Sequence, residues 1–192
     1  MKVNEIFYSL QGEGANTGRA AVFVRLSGCN LRCPFCDTNF KDYVDISEDR
    51  IVAEVRKYPA DLVVVTGGEP ALQLTRSLVD KLHLYGKTVA VETNGTKELP
   101  PNVDWVTVSP KAAYVGKSGK PTLKEADEVK VVFDGTHEVS DFGITAKHYY
   151  LQPCDTGNET ENKRIIEQCV EEIKRNPRWT LSLQTQKTIN VR

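Results

Sequence analysis

The chain has 192 residues, with 25 Lys and Arg against 26 Asp and Glu and a formal net charge of -1. That length points to one domain, able to bury about 70% of the unfolded surface without a disulfide framework. The balance leaves no global basic field for nucleic acid, and no apolar run approaches the ~20 residues of a membrane span. The opening MKVNEIFYSLQ lacks the charged and apolar regions of a signal peptide, so a cytoplasmic location is expected. In that reducing setting the five cysteines read as thiols or metal ligands.

Along the chain, apolar and β-branched runs at 21–26, 62–65, 88–91, 105–108, 128–133, 148–151 and 179–183 read as buried strands. Three segments between them have helical period. In 47–58, Ile51, Val52 and Val55 share a face behind a Ser47 N-cap. In 72–85, Leu74, Leu78, Leu82 and Tyr85 line a stripe, with Gly86 as C-cap. In 159–176, Ile165, Ile166, Cys169, Val170 and Ile173 do the same, ended by Pro177. The stretches 94–103 and 109–124 carry no convincing long helix. The expected fold is α/β: a βα-type sheet with some of its helices missing, about six strands and three helices in a single domain.

Polar motifs follow five of these strands: GCNLRC, TGGEP, ETNGT, SPK and QPCD. Sites in parallel βα folds form at the carboxyl ends of strands, so the five suggest one shared pocket. Within LSGCNLRCPFCDTNF, Cys29, Cys33 and Cys36 are spaced C-x₃-C-x₂-C. Thiolates suit zinc or iron–sulfur centres. A structural zinc site needs a fourth ligand, and Cys154 is the distant candidate. A cubane held by three cysteines instead leaves one iron open to a non-protein ligand. Gly67 and Gly68 let the main chain approach a ligand, although a strand-to-helix turn would also use them.

The cysteine spacing, with an aromatic at Phe35 and TGGEP on the next strand, resembles the radical S-adenosylmethionine (SAM) superfamily. That resemblance implies a 4Fe-4S cluster on Cys29, Cys33 and Cys36. SAM binds its open iron, and reduction yields a 5′-deoxyadenosyl radical. It also implies that the GGE backbone and carboxylate hold the methionyl amine. LQGEG, FVRLSGC, CDT, TGGEP, ETNGT, VSPK, LQP and the terminal LSLQTQKTINV, in that order, are similar to 7-carboxy-7-deazaguanine synthases over nearly the whole chain.

The narrower resemblance implies a single-domain, incomplete and modified TIM-type barrel, and a homodimeric lyase in queuosine-type 7-deazapurine biosynthesis. It converts 6-carboxy-5,6,7,8-tetrahydropterin to 7-carboxy-7-deazaguanine and ammonia. Hydrogen leaves and returns at C6, SAM is regenerated, and Mg²⁺ assists. The domain expected over 1–192 is a radical SAM core with an N-terminal substrate-binding segment and a C-terminal cap. A flavodoxin-type or similar electron donor is the implied partner, with no nucleic acid and no membrane.

Residue by residue, the resemblance places Mg²⁺ on Thr38. Substrate falls on Leu10, Gln11, Gly12, Glu13, Arg25, Thr66 and Gln186. SAM falls on Gly68, Asn94, Ser109, Pro110, Lys111, Gln152, Pro153, Cys154 and Asp155. Gln186 stands where many relatives carry histidine, so proton transfer there is in doubt while binding survives. Cys169 lies on a helix's apolar stripe and is expected in the core. Two rival readings remain at this stage: a radical-generating activase of a partner protein, and a zinc-stabilised binding module.

Overall fold

The computed structural model describes residues 1–36, 38 and 42–192. Six parallel strands run in sequence order: β2 Ala20–Leu26, β4 Leu62–Gly67, β5 Thr88–Thr93, β6 Trp105–Val108, β7 Glu125–Phe133 and β8 Thr145–Pro153. Winding always in one direction is the habit of a barrel; a doubly wound sheet reverses its strand order. The short β9 Thr180–Leu181 adds in parallel beside β8. At the other edge β1 Lys2–Leu10 pairs antiparallel with β2, and β3 Val44–Asp45 pairs with β1. The order β3-β1-β2-β4-β5-β6-β7-β8-β9 is open, an incomplete barrel.

The expected barrel is borne out, with two strands the sequence reading did not name. β1 is one of them: its register shifts between Val3 and Glu5, and that irregularity breaks the alternation that marks a strand. β3 is only a two-residue pairing.

Three substantial helices pack outside: α1 Glu48–Val55, α2 Arg76–His83 and α4 Glu159–Arg175. Each begins at a side-chain cap, with Ser47, Thr75 and Asn158 accepting from Arg50, Leu78 and Glu161 N–H. The helix expected from Leu72 starts later. Pro70–Leu72 forms a 3-10 turn, and the Thr75 cap resets the chain before Arg76. Gly86 does close α2, at φ 68° with its N–H on the His83 carbonyl. Two single turns, α3 Ala112–Val115 and α5 Thr185–Thr188, complete the set. No helix among the described residues is long and apolar enough to cross a membrane.

Strand alternation decides what faces where. Outward Val22, Val24, Val63, Val65, Val89 and Val91 pack with Ile51, Val55, Leu78 and Leu82 of α1 and α2. Outward Val129, Val131 and Leu151 pack with Ile165, Cys169 and Trp179, so Cys169 is a core residue as expected. Each such fully buried side chain stabilises the fold by about 1.5–3 kcal/mol. The inward face is apolar at the base of β2, β4, β5 and β6, where Ala21, Leu62, Val64 and Ala90 meet Phe23 and Trp105. Phe7 of β1 stacks on Phe23 at 4.9 Å. Above that plug the same inward columns turn polar: Arg25, Thr66, Glu92, Lys130 and Gln152. The fold therefore lifts a polar layer to the carboxyl edge of the sheet.

Candidate active site

Two cavities of about 240 and 520 Å³ open above the apolar plug, a small-molecule size. Glu13, Thr38, Thr66, Glu92 and Gln184 line both, so the two adjoin through a common wall.

The first cavity gathers the strand-end loops. Cys29, Cys33 and Cys36 all line it. Cys29 and Cys33 are half-buried, and burial raises both thiols above the ordinary range. Lys111 acts in the opposite direction on Cys33. Each of these two thiols feels the other cysteines of the loop, or at least Cys36, electrostatically. Cys154 reaches the cavity from the end of β8, with its Sγ 3.9 Å from the Asp155 carbonyl and its field felt at Tyr114. Among the described residues no three His, Cys, Asp or Glu side chains close on one point as ligands of a single ion do. A cubane distributes three thiolates over three irons, and three soft donors around one cavity match that need. Asp37 of the CDT motif lies outside the described residues.

Glycine makes the approach of the two loops possible. A Cβ on Gly68 would stand 2.0 Å from the Gly28 carbonyl oxygen and 3.0 Å from Cys29 Cβ. Gly68 N–H donates to the Leu26 carbonyl, and Glu69 N–H to Gly28, so TGGEP is stitched to the cysteine loop. The Glu69 carboxylate is fully buried and accepts from Ala71 N–H at 3.0 Å, Thr93 hydroxyl at 2.6 Å and Asn94 N–H at 2.8 Å. It braces β5 against the turn, and the motif's Gly67 and Gly68 are what line the cavity.

The remaining SAM positions divide. Gly68, Asn94, Ser109, Lys111, Gln152, Pro153, Cys154 and Asp155 line the first cavity, whereas Pro110 is buried and does not. Asn94 donates to Asn30 Oδ1 at 3.1 Å and accepts from Thr96, tying the cysteine loop to the end of β5. Lys111 is held at Ser109 by its carbonyl, 2.8 Å away, and its hydroxyl; burial lowers this ammonium to about 8. Asp155 pairs with Lys187 at 2.7 Å, which with Gly157 and Asn162 holds its carboxyl at about 2.

The second cavity is lined by Leu10, Gln11, Gly12, Glu13, Arg25, Thr66 and Gln186, together with Glu92 and the chain's last residues. Its two ends differ in charge. At one, Arg25 Nε meets Glu5 at 2.7 Å, and Arg192 pairs with the same carboxylate. Both guanidiniums lie over the Phe7 ring, at 5.7 and 5.0 Å. Two cations sharing one carboxylate suit a further anion. At the other end stand Glu13 and Glu92 of the common wall, which Lys130 Nζ bridges from the first cavity's side at 2.6 Å and 3.0 Å. Gln11 donates to Glu92, and Gln184 and Gln186 donate to Glu13, each at 3.1–3.2 Å. Burial pushes Glu13 up, but Lys130 and these amides together bring it down to about 2. Gln186 Oε1 is buried without a partner among the described residues, an acceptor suited to a ligand N–H.

Sequence reading did not assign Glu92 or Lys130 to the site. Glu92 was visible in ETNGT, but Lys130 sits in an apolar strand with no local signal except its inward phase opposite Val129 and Val131.

Comparison with known proteins bears on this geometry. Residues 23–115 match the Radical SAM superfamily. The chain is 49% identical to the 7-carboxy-7-deazaguanine synthase of Bacteroides thetaiotaomicron, over 100% of this chain and 98% of the relative. It is 38% identical to the synthase of Haemophilus influenzae, over 97% and 92%. The crystal structure of QueE from Escherichia coli superposes with a TM-score of 0.71 at 30% identity, covering 96% and 93%.

Proposed function

This chain belongs to the 7-carboxy-7-deazaguanine synthase family of the radical SAM superfamily, and on that premise we propose how its two cavities divide the reaction. The enzyme converts 6-carboxy-5,6,7,8-tetrahydropterin to 7-carboxy-7-deazaguanine with loss of ammonia. Hydrogen leaves and returns at C6, and SAM is regenerated. Cys29, Cys33 and Cys36 would hold a 4Fe-4S cluster, which with SAM would supply a 5′-deoxyadenosyl radical on reduction.

The observation that carries the reading is the shared wall. A cavity lined by the three thiols adjoins one whose ends are cationic and anionic. Carboxytetrahydropterin has the matching polarity: a carboxylate at one end, N–H donors of an aminopyrimidinone at the other. Arg25 receives the carboxylate. Glu13 and Glu92 accept the ring donors, and the Gln186 carbonyl accepts another. Thr66 and Gln11 complete the orientation that brings C6 toward the common wall. Thr38 stands on that wall and offers the oxygen a hard cation prefers, so we assign it to Mg²⁺, whose other ligands are substrate and water. Gly68, Ser109, Lys111 and the 152–155 segment hold SAM.

The 1–192 chain is then one radical SAM core, with residues 10–13 as substrate segment and residues 184–186 as cap. Homodimeric assembly, a flavodoxin-type donor and a cytoplasmic location belong to the same proposal, supported by family membership.

The decisive test is anaerobic turnover of the reconstituted, reduced protein with SAM, Mg²⁺ and the carboxytetrahydropterin. The expected result is the deazaguanine acid with SAM recovered. Stoichiometric consumption of SAM, or no deazapurine, overturns the assignment.

A further inference from the structure

One ionisable side chain inside the barrel has no role in the reaction described above. Glu128 lies on β7 two residues before Lys130, on the same inward face, and is 2% exposed. Its Oε2 accepts the Ala15 N–H at 2.8 Å. The turn it grips, Gly14–Asn16, directly follows Glu13. The fit is close: a Cβ on Gly14, at φ 63°, would stand 2.1 Å from Glu128 Oε1. Gly14 N–H in turn donates to Ser182 Oγ at 3.0 Å, and Ser182 donates to Gln152 at 3.0 Å. The turn behind Glu13 is thus fastened to the barrel interior at two points, and Glu128 is the charged one.

Glu128 also shares the field of Lys130. Three carboxylates, Glu13, Glu92 and Glu128, bear on that single buried ammonium and raise it above its ordinary range, although burial alone would lower it. Among the described residues, Glu13 and Glu92 are the carboxylates in contact with it. A neutral Glu128 leaves the ammonium wholly to the two wall carboxylates, whereas an ionised one competes for it across a low-dielectric interior.

We propose that Glu128 is a positioning residue of the pterin site: it fastens the 14–16 turn that places Glu13, and in its neutral form commits Lys130 to Glu13 and Glu92. The inference rests on assigning the second cavity to the pterin. Burial and Glu92 raise the Glu128 carboxyl to about 7, with Lys130 opposing, so the two forms exchange near neutral pH. Around it stand Glu13 before the turn, Glu92 on β5, Thr107 on β6, Lys130 on its own strand, and His148 and Tyr150 on β8. Glu13 is held at about 2 and Tyr150 is raised by burial. His148, paired with Glu128 across the strands, is the neighbour to control for.

The test uses 6-carboxypterin, an oxidised pterin acid with no hydrogen at C6 to abstract, in anaerobic calorimetry on the cluster-loaded, SAM-bound protein. Glu128→Gln keeps an acceptor for Ala15 but cannot ionise. It should match the wild type near pH 6 and bind about threefold tighter than wild type near pH 8. The ligand's own titration is common to both proteins and cancels in the comparison. His148→Asn should keep the wild-type profile. Glu128→Asp keeps the charge but falls short of Ala15; it should bind about tenfold more weakly at both pH values. Superimposed profiles for wild type and Glu128→Gln, or wild-type affinity in Glu128→Asp, overturn the inference and leave the pterin site standing. A His148→Asn variant that loses the pH step overturns it in favour of the imidazole. A wild-type protein that does not bind the probe overturns the pterin site and the inference with it.

Discussion

The first cavity is made where strands end, from loops that each follow their own strand, while the second is made inside the barrel and between residues from opposite ends of the sequence. The charged wall it shares with the first brings Glu13 and Glu92 to Lys130, with 117 positions of chain between Glu13 and Lys130. The first depends on close backbone approach, shown by Gly68 against Gly28. The second depends on a buried charge balance, shown by one ammonium among three carboxylates. Local motifs can build the former, because a glycine and a cysteine at fixed spacing carry their geometry with them. Only the completed sheet can build the latter.

The sharpest way to break the two apart is at the thiols. Cys33→Ala should abolish turnover and leave the protein without a stable cluster. Cys169→Ala, which touches only the core between α4 and the sheet, should retain nearly full turnover and lose about 1 kcal/mol of stability. Anaerobic assay with iron analysis checks both, and comparable turnover by the two variants would contradict the division.

Next in size is a matched pair of glycines. In Gly68→Ala the new Cβ meets backbone, 2.0 Å from Gly28 O and 2.4 Å from its carbonyl carbon, so the cysteine loop itself must move. Turnover should fall by about 100-fold or more, with iron lost from the protein. In Gly12→Ala the Cβ meets first the end of the Gln186 side chain, at 1.8 Å, and then its backbone N at 2.8 Å. The cluster should be retained while KM for the pterin rises about tenfold. Equal iron loss in the two variants would show that the cavities are not separable.

The contrast also explains what the sequence alone could disclose. Strand phase in 62–65 or 105–108 and the stripes of α1, α2 and α4 are local patterns, so the barrel and its helices were legible. So was the convergence of GCNLRC, TGGEP and SPK on one edge, since strand direction alone puts them there. The bracing of the Glu69 carboxylate was not legible, because its partners Thr93 and Asn94 come from another strand. Lys130 was missed because a lysine inside an apolar strand signals nothing until Glu13 and Glu92 are brought to it. Leu10 to Glu13 and Gln186 entered only through resemblance, for nothing local says that two distant segments close one pocket.

The buried ammonium gives the wall shared by the two cavities a pH signature of its own. Glu13 sits at about 2, below its ordinary 4.5, so it contributes stability above pH 4.5 that is lost as pH falls toward 2. Lys130→Ala removes the cause and leaves burial, which acts the other way. The carboxyl is then raised, and its ionisation destabilises the fold as pH rises. The variant should be less stable than wild type by about 3–5 kcal/mol at neutral pH, with a smaller deficit near pH 4. Denaturant melts at the two pH values check this, and a deficit that does not change with pH would remove the ion network from the account.

The smallest effect expected is at the wall itself. Thr38 lines both cavities, and its hydroxyl is one oxygen in a coordination sphere that substrate and water largely fill. Thr38→Ala should therefore keep the cluster and SAM affinity, lower kcat/KM by about tenfold at saturating Mg²⁺, and flatten the response to added Mg²⁺. Thr38→Ser, which keeps the oxygen and loses only the methyl, should restore that response. If Thr38→Ala answers Mg²⁺ as the wild type does, the cation is held elsewhere, and Thr38 does no more than separate the two cavities. If Thr38→Ala instead loses iron, the wall belongs to the first cavity alone. Either result would locate the boundary between radical generation and substrate binding more narrowly than the five shared residues do.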